Sequence, residues 1–84
     1  MVTEKDLLKT ISTNLNLIED LDIDKSTFFK TESVKLFDNM KKKRNIGYDS
    51  YDLFDSELKY LNSSRILDTR NIKGYLKDVR ENTA

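Results

Sequence analysis

Two short acidic runs are the parts of the sequence that come nearest to a known chemistry. In the first run, Asp20, Asp22 and Asp24 alternate as the ligands of a helix–loop–helix calcium site do. Such a loop needs Gly at its sixth position for a sharp turn and a bidentate Glu at its twelfth. Counted from Asp20, these positions hold Lys25 and Thr31. The run therefore predicts a polar loop between two helices, and no metal site.

The second acidic run combines Asp55 with Glu57 and Lys59, which are the residue types of a metal-dependent nuclease site. In such a site the side chains share one face of a strand, where residues two apart align. This segment has helical spacing instead, and residues two apart on a helix diverge by about 200°. The chain also contains no His and no Cys, so the usual general base and thiolate nucleophile are missing. We predict a protein without catalytic residues, cofactors or enzymatic activity.

Basic residues are the stronger candidates for binding, because they are concentrated in two places in the second half of the chain. One place is the run at residues 41–44, where a helix is expected to end. Cations there either offset the helix dipole or contact phosphate or an acidic protein. The other place is a stripe with spacing i, i+3, i+7 and i+10 on the last predicted helix, opposite its apolar face. An ordinary solvated surface is the alternative interpretation of this stripe.

The predicted partner-binding surface therefore combines the basic residues of both places. They are Lys41, Lys42, Lys43, Arg44, Arg70, Lys73, Lys77 and Arg80. Aromatic side chains beside cations can stack on a partner or on nucleic-acid bases. Tyr48 and Tyr60 lie off the predicted apolar helix faces, so these two are the candidate aromatic contacts.

The composition limits the chain to one small domain, predicted to span residues 1–84. The net charge is zero, from 15 basic and 15 acidic residues, which argues against a polycation that coats nucleic acid. The charge is unevenly distributed. Residues 1–40 carry five Lys against eight acids, and residues 41–84 carry ten Lys and Arg against seven acids. An acidic partner is therefore expected to prefer the second half.

Four amphipathic segments with helical spacing predict an all-α fold, a compact bundle of three to four short helices. The first helix is expected to begin after Thr3, a good N-cap, and to end near Asp20–Leu21. The second is expected to begin at Ser26 or Thr27 and to stop at Gly47.

The third helix is expected to begin after Asp49 or Ser50, and the fourth after Asp68 as its N-cap. Gly74 inside the fourth helix either permits close packing or weakens the helix. The apolar residues on the helix faces form the predicted core. They are Leu8, Ile11, Leu15, Ile18, Phe29, Leu36, Phe37, Met40, Phe54, Leu58, Leu61, Ile72, Leu76 and Val79.

The sequence holds no signal peptide and no apolar run of membrane-spanning length, so we expect a cytoplasmic protein without membrane contact. A core this small, without disulfides or metals, leaves self-association as a common aid to stability, and a homodimer is one expectation. The abundance of Lys, Asn, Ile and Asp indicates an AT-rich genome, such as that of a low-GC bacterium or its phage.

These observations favour a small non-catalytic regulator or inhibitor that binds another protein and is encoded by a phage or another mobile element. One alternative is a small DNA-binding transcriptional regulator that uses the basic second half. A second alternative is a self-associating structural module. The architecture does not choose among them, because helical bundles host many functions.

Overall fold

The computed structural model describes the backbone of residues 3–82 and the side chains of residues 3–79. This part of the chain is all-helical and contains no strand, which confirms the predicted fold class. The elements in chain order are α1 (Glu4–Thr13), α2 (Leu17–Asp20), a 3₁₀ turn (Lys25–Thr27), α3 (Thr31–Asn45), α4 (Asp55–Tyr60) and α5 (Thr69–Asn82).

Helix α1 begins where the sequence predicts, at a capping box. The Thr3 hydroxyl accepts a hydrogen bond from the Asp6 amide at 3.3 Å, and the Asp6 carboxylate accepts one from the Thr3 amide at 3.1 Å. The predicted continuation to Asp20–Leu21 is wrong, because α1 ends at Thr13. The amide of Leu15 donates to the carbonyl of Asp49 at 2.8 Å, so a distant segment replaces its helical partner.

Three polar side chains of α1 are buried and accept backbone hydrogen bonds from distant segments. The Glu4 carboxylate accepts from the amides of Phe29 at 3.0 Å and Lys30 at 3.3 Å. The Thr10 hydroxyl accepts from the amide of Leu67 at 2.8 Å. Buried donors and acceptors must be paired, so these contacts fix where the later segments lie.

Asp6 is the third of these side chains, and it accepts from the amide of Arg65 at 2.9 Å. Burial acts to raise the pKa of Asp6. The amides of Arg65 and Thr3 and the Arg65 guanidinium, 3.6 Å away, outweigh burial and hold the pKa below 3.8. The ionised carboxylate is therefore the form that the fold stabilises.

Helix α3 begins at Thr31, four or five residues later than predicted. The residues expected to open it form the 3₁₀ turn, in which the Asp24 carboxylate accepts from the amide of Ser26 at 2.9 Å. The Glu4 carboxylate holds the amides just before α3, so the chain is still extended at Phe28 and Lys30.

Because α3 starts late, Phe28 occupies the core position that the sequence analysis assigned to Phe29. Phe28 is buried, and its ring centroid lies 5.0 Å from that of Phe37. Phe29, which was predicted for the core, is 66% exposed. An extended backbone turns successive side chains to opposite sides, so only one of the two rings can face the core.

The end of α3 agrees with the prediction. Gly47 has a φ of 106°, its amide donates to the carbonyl of Arg44, and the amide of Tyr48 donates to that of Lys43. This is a Schellman motif, in which Gly adopts the left-handed conformation without steric cost. The motif fixes the direction in which Ile46 and Tyr48 leave the helix.

Helix α4 is shorter than predicted, because residues 51–54 are not helical and only Asp55–Tyr60 is. The amide of Tyr51 donates to the carbonyl of Ser12 at 2.9 Å, which draws this segment along α1. The predicted burial of Phe54 and Leu58 is therefore wrong: they are 69% and 51% exposed. The predicted burial required a helix that begins before Asp55, and residues 51–54 are not helical.

The core is one cluster of buried apolar side chains, and most of the predicted members belong to it. Of the predicted residues, Phe29, Phe54 and Leu58 are exposed and Val79 is only partly buried. The cluster also contains five residues outside the helix-face set given above: Leu7, Ile23, Phe28, Tyr51 and Leu67. Helix α5 follows Asp68 as predicted, and the Asp68 carboxylate accepts from the amide of Asn71 at 2.9 Å.

The pair Phe37 and Phe29 tests the core. Phe37 is 1% exposed, so Phe37→Ala should lower the free energy of unfolding by about 3–5 kcal/mol. Phe29→Ala removes the same side chain from an exposed position and should change it by less than about 0.5 kcal/mol. Urea unfolding of both variants measures the difference. Equal losses of unfolding free energy in the two variants would contradict the placement of Phe37 in the core and Phe29 on the surface.

Gly74 offers a second test of packing. No heavy atom outside its own helix turn lies within 4 Å of the place where a Cβ would sit, so close packing does not require Gly there. Gly74→Ala should therefore raise the free energy of unfolding by about 0.5–1 kcal/mol through helix propensity alone. Thermal unfolding measures the change, and a loss of stability would contradict the open position of Gly74.

Candidate interaction groove

The basic run at the end of α3 is divided among different contacts. Lys42 Nζ lies 3.3 Å from an oxygen of Asp38, in a pair too exposed to contribute much stability. The guanidinium of Arg44 lies 3.0 Å from the Glu19 carboxylate and joins α3 to α2. Lys41 is exposed. Arg44 thus has a structural partner, whereas the lysines of the run face solvent.

The basic stripe of α5 lies near the opposite end of α3. Arg70, Lys73 and Lys77 are exposed, and Arg80 lies outside the described side chains. Helix α5 packs mainly against the 3₁₀ turn, which precedes the N-terminus of α3. Ten residues of α3, or about 15 Å, separate that end from Lys41. A ligand that contacted both basic groups would have to span this length.

The two candidate Tyr residues have different surroundings. Tyr48 is exposed, and Lys43 Nζ lies 5.1 Å from its ring centroid. Tyr60 is partly buried, and its hydroxyl lies 2.6 Å from that of the fully buried Ser33. Lys5 Nζ lies 4.6 Å from the Tyr60 ring centroid. Tyr60 is therefore held in place as part of the wall of a groove, whereas Tyr48 is exposed to solvent.

That wall belongs to a groove between α3 and the segment 51–60, which we call the α3 groove. It consists of two adjoining cavities of about 570 Å³ and 280 Å³ that share Asn39. Along α3 the lining runs from Glu32 to Ile46, or about 21 Å. The lining residues are Lys5, Glu32, Lys35, Leu36, Asn39, Lys42, Lys43, Ile46, Tyr51, Phe54, Ser56, Glu57, Lys59 and Tyr60.

The smaller cavity is the apolar part of the α3 groove. Ile46 and Phe54 face it from its two sides, and each is 69% exposed. Tyr48 lines a neighbouring depression together with Phe54 and is 55% exposed. Large apolar side chains grouped at a concave surface mark an interaction site more often than scattered ones do. The sequence analysis named Tyr48 as a candidate contact but missed Phe54, because it assigned Phe54 to the core.

The larger cavity is the basic part of the α3 groove. Its charged lining consists of Lys5, Lys35 and Lys59 against Glu32 and Glu57. Lys42 and Lys43 line the apolar part, so lysines outnumber acids along the whole groove. Of the residues predicted to bind a partner, Lys42, Lys43 and Tyr60 line the groove.

The Glu57 carboxylate is already engaged inside the protein. Both of its oxygens lie 3.0 Å from the hydroxyl of Tyr51, and one accepts from the amide of Phe54 at 2.9 Å. Burial raises the pKa of Tyr51 to about 12, and the Glu57 carboxylate adds to the increase, while a hydrogen bond from Asn39 opposes it. Glu57 thus holds Phe54 at the start of α4.

Tyr51 gives this arrangement a pH dependence. Because its pKa is raised, the stability that it contributes is complete below pH 10 and is lost as pH rises to about 12. A difference of this size corresponds to about 2–3 kcal/mol. Wild-type protein should therefore lose more stability over this range than Tyr51→Phe does, in urea unfolding at each pH. Tyr48→Phe should behave like the wild type, and an equal loss in Tyr51→Phe would contradict the assignment.

The lining of the groove offers apolar side chains and lysines for contact with another molecule. In the described part of the chain, no three His, Cys, Asp or Glu side chains are close enough together to hold a metal ion. Glu57 and Lys59 lie two residues apart on helix α4, where such side chains diverge by about 200° and do not share a face. Among residues 3–82, no helix is both long and apolar enough to cross a membrane. Comparison of the chain with protein families, curated proteins and solved structures finds no match.

Proposed function

We propose that the protein is a non-catalytic regulator or inhibitor that acts by binding another protein through the α3 groove. The observation that carries this proposal is the exposure of Ile46, Phe54 and Tyr48 around one concave surface. Apolar and aromatic side chains at the centre of an interface, with charged residues around them, supply most of the binding energy in protein complexes. Lys42 and Lys43 provide such a charged rim.

The fixed geometry of these side chains supports the same proposal. The Schellman motif holds Ile46 and Tyr48 at the end of α3, and the amide contact to Glu57 holds Phe54. A surface that is already ordered loses less conformational entropy when it binds. We further propose a cytoplasmic site of action and an origin in a phage or another mobile element, on the composition described above.

The DNA-binding alternative rests on the exposed stripe of Arg70, Lys73 and Lys77. It is less favoured, because the net charge of the chain is zero and the basic run at Lys41 lies at the other end of α3. The self-associating alternative would use the same groove for a second copy of the chain. Sedimentation velocity of the purified protein distinguishes it, since the proposal expects no oligomer that depends on Phe54.

A comparison of two equally exposed Phe residues tests the proposal. Phe54 and Phe29 are 69% and 66% exposed, and only Phe54 lines the groove. Capture of a host protein by the immobilised chain should be lost in the double variant Ile46→Ala, Phe54→Ala and retained in Phe29→Ala. The two variants should unfold at similar urea concentrations, which separates binding from folding. Capture that survives the double variant would refute the groove as the binding site.

DNA binding is measured in parallel by fluorescence anisotropy. At physiological salt, affinity for duplex DNA should be no tighter than the non-specific range of about 10⁻⁴–10⁻⁶ M. Sub-micromolar, sequence-selective binding that is lost in Arg70→Gln, Lys73→Gln, Lys77→Gln would overturn the proposal in favour of the DNA-binding alternative.

A further inference from the structure

We propose that the occupant of the α3 groove is an acidic amphipathic helix of the partner protein, with an apolar anchor at one end and carboxylates toward the other. This inference rests on the proposed function, because it specifies the partner that the groove binds. The inference is supported by the charges of the groove and by the positions of its apolar and basic residues, which differ between its two parts.

The first argument is charge complementarity. Lys5, Lys35 and Lys59 surround the basic part of the groove. Two acids, Glu32 and Glu57, lie there too, and Lys42 and Lys43 in the rest of the groove bring its lining to five lysines against two carboxylates. Carboxylates of a partner therefore meet an excess of positive charge. Complementary charge of this kind raises the association rate and rejects partners of the wrong sign.

The second argument is the separation of apolar and charged groups. Ile46 and Phe54 lie at one end of the groove, and Lys35 lies eleven residues from Ile46 along α3, or about 16 Å. A ligand that lies along α3 and contacts both parts therefore places its apolar anchor about three helical turns from the carboxylates that meet Lys35, while Lys42 and Lys43 can contact further carboxylates beside the anchor. That spacing selects among acidic segments, because a uniformly acidic peptide would leave the apolar part without a partner.

The third argument concerns the backbone of the occupant. A peptide that binds by adding a strand needs a free strand edge for its amides and carbonyls, and residues 3–82 contain no strand. A helix satisfies its own backbone hydrogen bonds and presents only side chains to a groove. A nucleic acid is disfavoured at this site, because the carboxylate of Glu32 lines the basic part and the other end is apolar.

Defined peptides test the inference with the full-length chain. One probe is a fluorescent helical peptide with Leu and Phe at one end of a face and Glu toward the other. The second probe replaces each Glu by Lys, the third has the composition of the first in scrambled order, and the fourth is a DNA duplex. Anisotropy titrations should give the tightest binding to the first peptide, with an affinity that falls as salt is added.

Charge-reversal variants locate the binding. Lys35→Glu, Lys59→Glu should weaken the acidic peptide by about tenfold or more and strengthen the basic one. The matched control Lys73→Glu, Lys77→Glu makes the same change of charge on α5, outside the groove, and should have a much smaller effect. Phe54→Ala should weaken the acidic peptide, and Phe29→Ala should not.

Three results would overturn the inference: equal binding of the acidic and basic peptides, equal effects of the two charge reversals, or preferential binding of DNA at the groove. The proposed function fails by a different result, which is host-protein capture that does not depend on Ile46 and Phe54. If capture depends on these residues and the acidic peptide shows no preference, the groove binds a protein of another chemistry and only the present inference falls.

Discussion

The arrangement of this protein depends on the polar side chains that α1 buries. A buried carboxylate without hydrogen-bond partners is costly, and here Glu4 and Asp6 obtain theirs from backbone amides at Phe29, Lys30 and Arg65. Each bond satisfies an acceptor of α1 and a donor of a loop at the same time. The loops of the protein are thereby fixed to one helix without strands, disulfides or metals among the described residues.

The same helix determines what lies on the surface. The contact from Glu4 delays the start of α3, which turns Phe28 inward and Phe29 outward. The carbonyl of Ser12 holds Tyr51, and residues 51–54 do not become helical before α4 begins at Asp55, next to the contact between Glu57 and the Phe54 amide. Phe54 is exposed as a result, and the space between α3 and this segment becomes the α3 groove. The candidate binding surface is thus a consequence of the hydrogen bonds that α1 makes with distant segments.

The sequence predicted the features that depend on neighbouring residues. Thr3, Gly47 and Asp68 act within one turn of a helix, and each was assigned correctly to a helix terminus. Helical spacing also identified most of the core. The errors lie where a residue far along the chain decides the local conformation, as Glu4 does for α3 and Ser12 does for Tyr51. The spacing of residues along the chain does not reveal such contacts. The sequence analysis therefore named Lys42, Lys43 and Tyr60 as candidate binding residues but did not predict the groove that they line.

The hydrogen bonds of α1 also determine when its tertiary contacts can form during synthesis of the chain. The helix emerges before every segment that it holds, and its buried acids wait for amides that are between 25 and 59 residues further along. Contacts between such distant residues are slow to form, because long loops must close before any stability is gained. We therefore expect α1 to be only marginally stable in the growing chain until the Arg65 region has been made, because an isolated helix of ten residues is marginal in water. Folding is then a late and concerted event, and a chain truncated before that region should not hold its first helix in place.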